Sequence, residues 1–512
     1  MQIKFLAWTL ALGVAAATGA AANAAPQVSV RAEVGASTPR VPARQVAPTQ
    51  AQAGQAKPVQ APRSLFDGLE GGVPYIFPLD AELDALDLAL GAESEFEGGV
   101  GARSTSGLLL GPSFRPEAPE RYRVNLTTGT GDLERVWVQE AASDQARPLL
   151  VVFHRFGVSE LDAMVSTRLF EEARRRQWYV IAPRSWGNIH FSSLTSQIHT
   201  KRALTWAQSN FNIDPTRIYA VGFSMGGGAA LNYAARHLDP DEPRFAAVAS
   251  LSSLLAHEHA YDNEVAPTKA VYDAIFGVAG VPGSFDPFLM QRSSLFKLDT
   301  LSLQIVPGTD VARNLSHVNL SLFRTNQDVG YLSTQHDAFV NFLAGLPLTS
   351  AQHVNAVLNF PGHSWDALDE RAVCDWLRQF TLATPTAANT LADSDAVYFH
   401  FELEQDAAGA FSPFSWSVDA QANALSLTAT QNVQRIKVRT SAAGLSTATT
   451  LHVTLSAADA LADEVVVKDW PLAPLQVLRD GVPTANWMHD PLSAELTLLE
   501  TDPAQHVWQL EP

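Results

Sequence analysis

Cysteine is almost missing. The chain has one, Cys374, in 512 residues. That excludes an intrachain disulfide and any zinc site built from cysteine pairs. Cys374 falls in an amphipathic stretch, residues 368–382, and reads as a core residue. Basic residues are also few, 35 Lys and Arg against 53 Asp and Glu, giving a formal charge of −18. A surface of that sign argues against binding nucleic acid or an anionic membrane. No phosphate loop or dinucleotide fingerprint occurs, so no cofactor is expected. His257-Glu258-His259 lacks the spacing that sets two ligands on one helical face. It reads as an exposed insertion, and no metal is expected.

Long apolar runs are lacking too, apart from residues 5–17. That run follows Lys4, precedes the A-x-A site Ala22-Asn23-Ala24, and is short for a membrane span. Residues 1–24 therefore read as a signal peptide, and the mature protein is expected to be periplasmic or secreted, with no stable membrane span. Aromatic residues are absent from the Ala-, Pro- and Gln-rich stretch 25–64, which is expected to be a disordered linker. Residues 65–120 form an acidic, glycine-punctuated extension, with a short helix expected at 83–90.

What remains is ample for a core: 46% of the chain is hydrophobic and 17% charged. Its length predicts two domains. Residues 122–126 and 135–140 read as strands. Residues 149–153 and 178–182 are continuous apolar runs, the mark of strands buried on both faces. Helical spacing runs from Leu161 to Ala173 and over 193–211, and strands recur at 217–223, 245–251, 317–323 and 353–360. Helices fall at 333–346 and 368–382. Strands alternating with amphipathic helices predict an α/β domain over 121–384, a doubly wound, mainly parallel sheet. Residues 252–315 interrupt the pattern and read as a cap-like insertion. After a Thr-, Ala- and Pro-rich boundary at 381–394, short alternating runs over 395–512 predict a small all-β, sandwich-like domain. Asp480-Gly481 within it is a hairpin signal.

The chemistry centres on Gly222-Phe223-Ser224-Met225-Gly226, between a β-branched strand and a helix. A Gly-x-Ser-x-Gly turn in that setting is a nucleophile elbow. A serine hydroxyl is a weak nucleophile until a base takes its proton. In hydrolases built on such an elbow the order is Ser, acid, His. His363, in Phe360-Pro361-Gly362-His363-Ser364-Trp365, follows the last strand; Asp328, in Asn326-Gln327-Asp328, follows the strand before it. Asp310 is the alternative acid, while Asp337 within a helix reads as solvated. An oxyanion hole needs two backbone N–H groups. Met225 would give one and Phe156, in His154-Arg155-Phe156-Gly157, the other, with Arg155 next. Phe156, Trp186 and Trp365 are candidate walls for a substrate.

These residues carry a resemblance. Gly222-Phe223-Ser224-Met225-Gly226-Gly227, Ala312-Arg313-Asn314-Leu315-Ser316-His317 and Pro361-Gly362-His363-Ser364-Trp365 resemble the α/β-hydrolase superfamily over about 121–382. The nearest flavour is the secreted serine esterase branch with polyhydroxyalkanoate-depolymerase-like and feruloyl-esterase-like enzymes, related to prolyl-oligopeptidase-type peptidases. One departure is His154-Arg155, where many members have His-Gly. The resemblance implies ester hydrolysis through an acyl-enzyme at Ser224, with an ester substrate that could be polymeric. The alternatives are a serine peptidase of the same fold, or a non-catalytic binding protein on a hydrolase scaffold.

Overall fold

Successive strand residues face opposite sides of a sheet, so a strand covered on both sides must be apolar throughout. Residues 149–153 meet that demand. Leu149, Val151 and Phe153 enter one core, and Leu150 and Val152 the other. The computed structural model describes residues 96–97, 121–127, 133–278, 281, 287–347, 351–457 and 463–512, all within one unit, Val59–Pro512. The expected signal peptide, linker and residue 83–90 helix lie outside the described residues. Of the 65–120 extension only Phe96–Glu97 is described.

Among the described residues the first sheet has nine strands: β1 Phe96–Glu97, β2 Arg121–Thr127, β3 Leu133–Gln139, β4 Arg147–Phe153, β5 Tyr179–Pro183, β6 Ile213–Phe223, β7 Ala247–Leu251, β8 Asn319–Thr325 and β9 His353–Leu358. Their order is β1-β2-β3-β5-β4-β6-β7-β8-β9. Only β3 runs against its neighbours; the six strands from β5 to β9 are parallel. The order reverses at β4, which therefore lies beside β6. A crevice at the carboxyl ends of strands at such a switch point is where open α/β sheets bind ligands.

Helices cover both faces. α1 Asp162–Val165 and α2 Leu169–Arg175 precede β5; α3 Leu194–Asn210 precedes β6; α4 Met225–Arg236 follows it. α5 His257–Asn263, α6 Ala266–Phe276 and α7 Pro287–Arg292 lie in the insertion, α8 Gly330–Ala344 follows β8, and α9 Glu370–Leu377 follows β9. Buried residues of α3, α4 and α8 pack on one face, and those of α2 and α9, including Cys374, on the other.

The insertion is not an exposed excursion. Leu254, Ala260, Val271, Tyr272, Phe276 and Met290 form one apolar cluster with Phe156, Phe191 and Met225. His257 and His259 are buried on α5, which corrects their reading as exposed residues. Their helix turns an apolar face inward, and the His257 ring packs against Phe191, Tyr272 and Phe276.

The C-terminal region is all β. A seven-stranded sheet contains β10 Ala387–Ala392, β13 Ser412–Asp419, β14 Ala424–Thr430, β16 Leu451–Ala457, β22 His506–Glu511, β18 Gln476–Arg479 and β19 Val482–Pro483, in that order. A six-stranded sheet contains β11 Ala396–Tyr398, β12 Phe401–Gln405, β15 Val433–Val438, β17 Asp463–Val467, β21 Glu495–Glu500 and β20 Trp487–Asp490. Their inner faces share one core around Phe401, Trp416, Val453, Leu498 and Trp508. Asp480 and Gly481 join β18 to β19 with φ of 53° and 75°, as a primed hairpin turn requires. Strand β10 falls in the stretch expected as a boundary. Its sequence is small and polar, and pairing with β13 makes it a strand.

The two domains share a buried joint. Arg236, the last residue of α4, donates to Asp393 Oδ2 at 2.7 Å and to the Ser294 carbonyl at 2.8 Å, and also pairs with Asn232. Arg292 lies 3.4 Å from the same carboxylate. Asn314 Nδ2 donates to the carbonyls of Ala235 and Leu391, and its Oδ1 accepts from Leu391 N. Leu238 enters the core of the β domain.

Candidate active site

The first functional side chain is set by backbone geometry. Ser224 follows β6 with φ 57° and ψ −121°, a conformation that costs a non-glycine residue about 1–3 kcal/mol. Its amide donates to Leu251 O at 2.9 Å and its carbonyl accepts from Leu254 N at 3.1 Å, which holds the turn in place. The turn is too tight for side chains at two positions. A Cβ on Gly222 would run into the Gly226 carbonyl, and one on Gly226 into the carbonyls of Phe153 and His154. The loop after β4 is thereby pressed against the elbow. Met225 opens α4, where the first N–H groups have no helical acceptor and favour negative charge.

Asp328 and His363 come from the loops after β8 and β9, which are stapled together. Asn326 N donates to Leu358 O at 2.9 Å, Asn326 Nδ2 to Asn359 Oδ1 at 2.8 Å, and Thr325 Oγ1 to Gly362 O at 2.8 Å. Asp328 Oδ1 accepts from His363 Nδ1 at 2.7 Å and from Val329 N at 2.8 Å. Burial would raise the Asp328 carboxyl, but the His363 imidazole and the other donors outweigh it and hold it below the usual range. With Nδ1 donating to the carboxylate, Nε2 is left as the basic nitrogen; it is buried and without a hydrogen-bond partner. The His363 ring lies 4.3 Å from that of Phe223, the neighbour of Ser224. The structure thus brings the three expected residues to one end of the sheet. Asp310 is elsewhere engaged, paired with Arg313 at 2.6 Å. Asp337 is exposed and pairs with Arg324.

The surrounding residues divide. Gly157 N donates to Asn188 O at 2.9 Å, which fixes the end of that loop. Phe156 stacks on Phe191 at 5.4 Å and shares a cluster with Met225. Trp186 is 40% exposed, and its amide is fixed by Glu134 Oε2 at 3.0 Å. Trp365, expected as a wall of the site, is 3% exposed and packs on Phe223 instead. Its indole donates to Asp162 Oδ2 at 3.1 Å, and Arg155 reaches Asp162 Oδ1 at 3.3 Å. Asp162 therefore ties the loop after β4 to the His363 loop. Sequence reading missed Asp162 and Glu134, since neither sits in a local motif. Among the described residues no cluster of three or more His, Cys, Asp or Glu could hold a metal ion. No helix of the described residues is long and apolar enough to cross a membrane.

Strand order, the antiparallel β3, and the turn after β6 decide the fold. The first domain is an α/β-hydrolase fold. Residues 127–285 match the family model described as putative esterase, a stretch that contains Ser224 and ends before Asp328 and His363. That match supports a hydrolase acting on esters. No curated protein matches the chain. Among solved structures, the fluorophosphonate-binding serine hydrolase F of Staphylococcus aureus is similar at 17% identity, covering 51% of this chain and 98% of that one, TM-score 0.38. The acetyl xylan esterase from Paenibacillus sp. R4 is similar at 15% identity, covering 52% and 86%, TM-score 0.37. The acylaminoacyl peptidase of Pyrococcus horikoshii is similar at 14% identity, covering 51% and 41%, TM-score 0.36.

Proposed function

We propose that the protein is an exported serine hydrolase that cleaves carboxylic esters through an acyl-enzyme. The observation that carries this is the left-handed Ser224 at the start of α4, with the Asp328-bound His363 packed on the adjacent Phe223. Ser224 Oγ attacks the ester carbonyl as His363 Nε2 takes its proton. Asp328 holds the imidazole in the needed tautomer and stabilises its protonated form. The N–H of Met225 and that of Phe156 receive the oxyanion. Collapse expels the alkoxide, which leaves with the proton from His363. Water then repeats the sequence at the acyl carbonyl and frees Ser224. Export rests on the N-terminal pattern around Lys4 and Ala22-Asn23-Ala24.

The test is fluorophosphonate labelling with peptide mapping, beside p-nitrophenyl ester hydrolysis by the same preparation. The expected result is a label on Ser224 with ester turnover, both lost in Ser224→Ala. Folded protein that neither labels nor turns over esters would move the reading to a binding protein. Turnover of peptide amides in place of esters would move it to a peptidase.

A further inference from the structure

Among the described residues, three buried polar atoms near the proposed triad have no hydrogen-bond partner: His363 Nε2, Asp328 Oδ2 and Ser252 Oγ. The first faces the reaction in the mechanism above. The other two are an acceptor and a donor. Ser252 directly follows β7, and its amide donates to Phe323 O on β8 at 2.7 Å. It is fully buried, with φ 50°, a left-handed conformation that a non-glycine residue adopts at a cost. Asp328 lies three residues beyond the end of β8. Its Oδ1 already accepts twice, from His363 and Val329, so Oδ2 is the atom still open.

Strands β7 and β8 are parallel neighbours, so Ser252 and Asp328 leave the sheet side by side at the same end, and the Ser252 hydroxyl is among the groups that draw the Asp328 carboxyl below its usual range. Yet no well-aligned bond closes between them. A hydroxyl proton turns freely about its C–O bond, so small side-chain adjustments can close it. Hydrogen bonds of catalytic groups commonly tighten only when substrate is bound. Asp328 also acts on Tyr331 and His336, and both are otherwise disposed. Tyr331 donates its hydroxyl to Glu264 at 2.5 Å, and burial pulls the His336 imidazole down to about 4, so it stays neutral.

We propose that Ser252 is a positioning residue of the active site, donating its hydroxyl to Asp328 Oδ2 and so fixing the carboxylate that orients His363. The inference rests on the reading of Ser224, Asp328 and His363 given above. With both oxygens held, the carboxylate cannot rotate about its own axis. Its Oδ1 then stays aligned with His363 Nδ1 while the imidazole gains and loses charge. The strained backbone of Ser252 is what presents the hydroxyl there, and the bond to Phe323 O keeps that backbone in place.

Two variants test this. Ser252→Ala removes the hydroxyl, and Ser252→Gly removes it with a residue suited to positive φ. Loss of one hydrogen bond to a charged group is expected to lower kcat on the order of tenfold, with KM within about twofold. The acidic limb of kcat/KM against pH should move up by a few tenths of a unit, because a carboxylate with one donor fewer holds the Nδ1 proton more tightly. Active-site titration with a fluorophosphonate normalises each rate to folded, reactive enzyme. Unchanged kcat and pH profile in both variants would overturn the proposal. So would a loss that tracks only a lower melting temperature, with the pH profile unmoved. If wild type takes no label at Ser224, the functional reading itself fails and this inference falls with it. If wild type labels and Asp328→Asn is slow, that reading stands whatever Ser252 shows.

Discussion

Arg236 is the residue whose loss should weaken the link between the two domains most. Its guanidinium is 5% exposed and meets groups from three places: Asp393 of the segment entering the β domain, Asn232 of its own helix, and the Ser294 carbonyl of the insertion. In Arg236→Met the apolar stem remains, but a carboxylate 5% exposed loses its main counter-charge. Removing one partner of a buried ion pair costs about 3–5 kcal/mol, and the stranded carbonyl keeps the loss toward the upper part of that range. Arg292, 3.4 Å from Asp393, returns part of it, so about 4 kcal/mol is expected at pH 7 by urea unfolding. The sign of the pH dependence follows from Asp393. Burial alone would raise its carboxyl, but Arg236 and Arg292 together hold it below its ordinary value. In the wild type it therefore adds stability that is present above about pH 4 and lost as pH falls through its folded value. In the variant, burial dominates and the carboxyl rises, so acidification relieves the buried charge. Each unit of that rise returns about 1.4 kcal/mol below it. The gap between wild type and Arg236→Met should thus narrow between pH 7 and pH 4.5. The double variant Arg236→Met/Asp393→Leu removes the stranded charge and should recover roughly half the loss. A single-variant loss under about 1 kcal/mol, or a double variant no more stable than the single one, would refute the reasoning.

Two further outcomes follow from the same structure. Asp328→Asn should slow ester turnover by about 10⁴-fold, the size of effect known when a triad acid is lost, while Asp310→Asn should leave kcat within about twofold. The reverse pattern in steady-state kinetics would move the acid to Asp310. His257 is buried among aromatic rings, and burial holds its imidazole at about 3. The unfolded chain then binds the extra proton between about pH 6.5 and pH 3, so the His257 contribution to stability falls with falling pH across that window. His257→Phe suits the aromatic surroundings and removes this proton, so its urea midpoint should fall less steeply from pH 6.5 to pH 4. Parallel slopes for the two proteins would mean that His257 is charged, or paired, when folded.

How much of this was legible in the sequence depended on whether the cause was local. Residues 149–153 read as a strand buried on both faces because the run is short, rich in valine and set among alternating strands and helices. The elbow was legible for the same kind of reason: a serine flanked by Gly222 and Gly226 between strand and helix specifies a turn that side chains at those positions would block. Loops after successive parallel strands emerge at the same end of a sheet, so expecting Asp328 and His363 together followed from topology and order. The misses share the opposite character. Strand β10 is small and polar in sequence, and only pairing with β13 makes it a strand. His257 and His259 read as exposed because a histidine does not announce its burial; a cluster assembled from the loop after β4, the insertion and α8 buries them. Trp365 sits two residues after His363, a spacing that suits a wall of the site as well as a core residue, and Asp162, 203 positions away, decides for the core. Arg236 and Asp393 are separated by 157 positions, and neither sits in a motif that names its partner. One side of that joint nonetheless runs back to the candidate active site. The helix that ends at Arg236 begins next to Ser224, so the β domain grips the far end of the element whose first amides are proposed to receive the oxyanion. A spacer would need only a surface contact. A buried arginine, an asparagine bridging two backbones and Leu238 inserted across the boundary argue instead that the β domain is part of what holds the elbow helix in place.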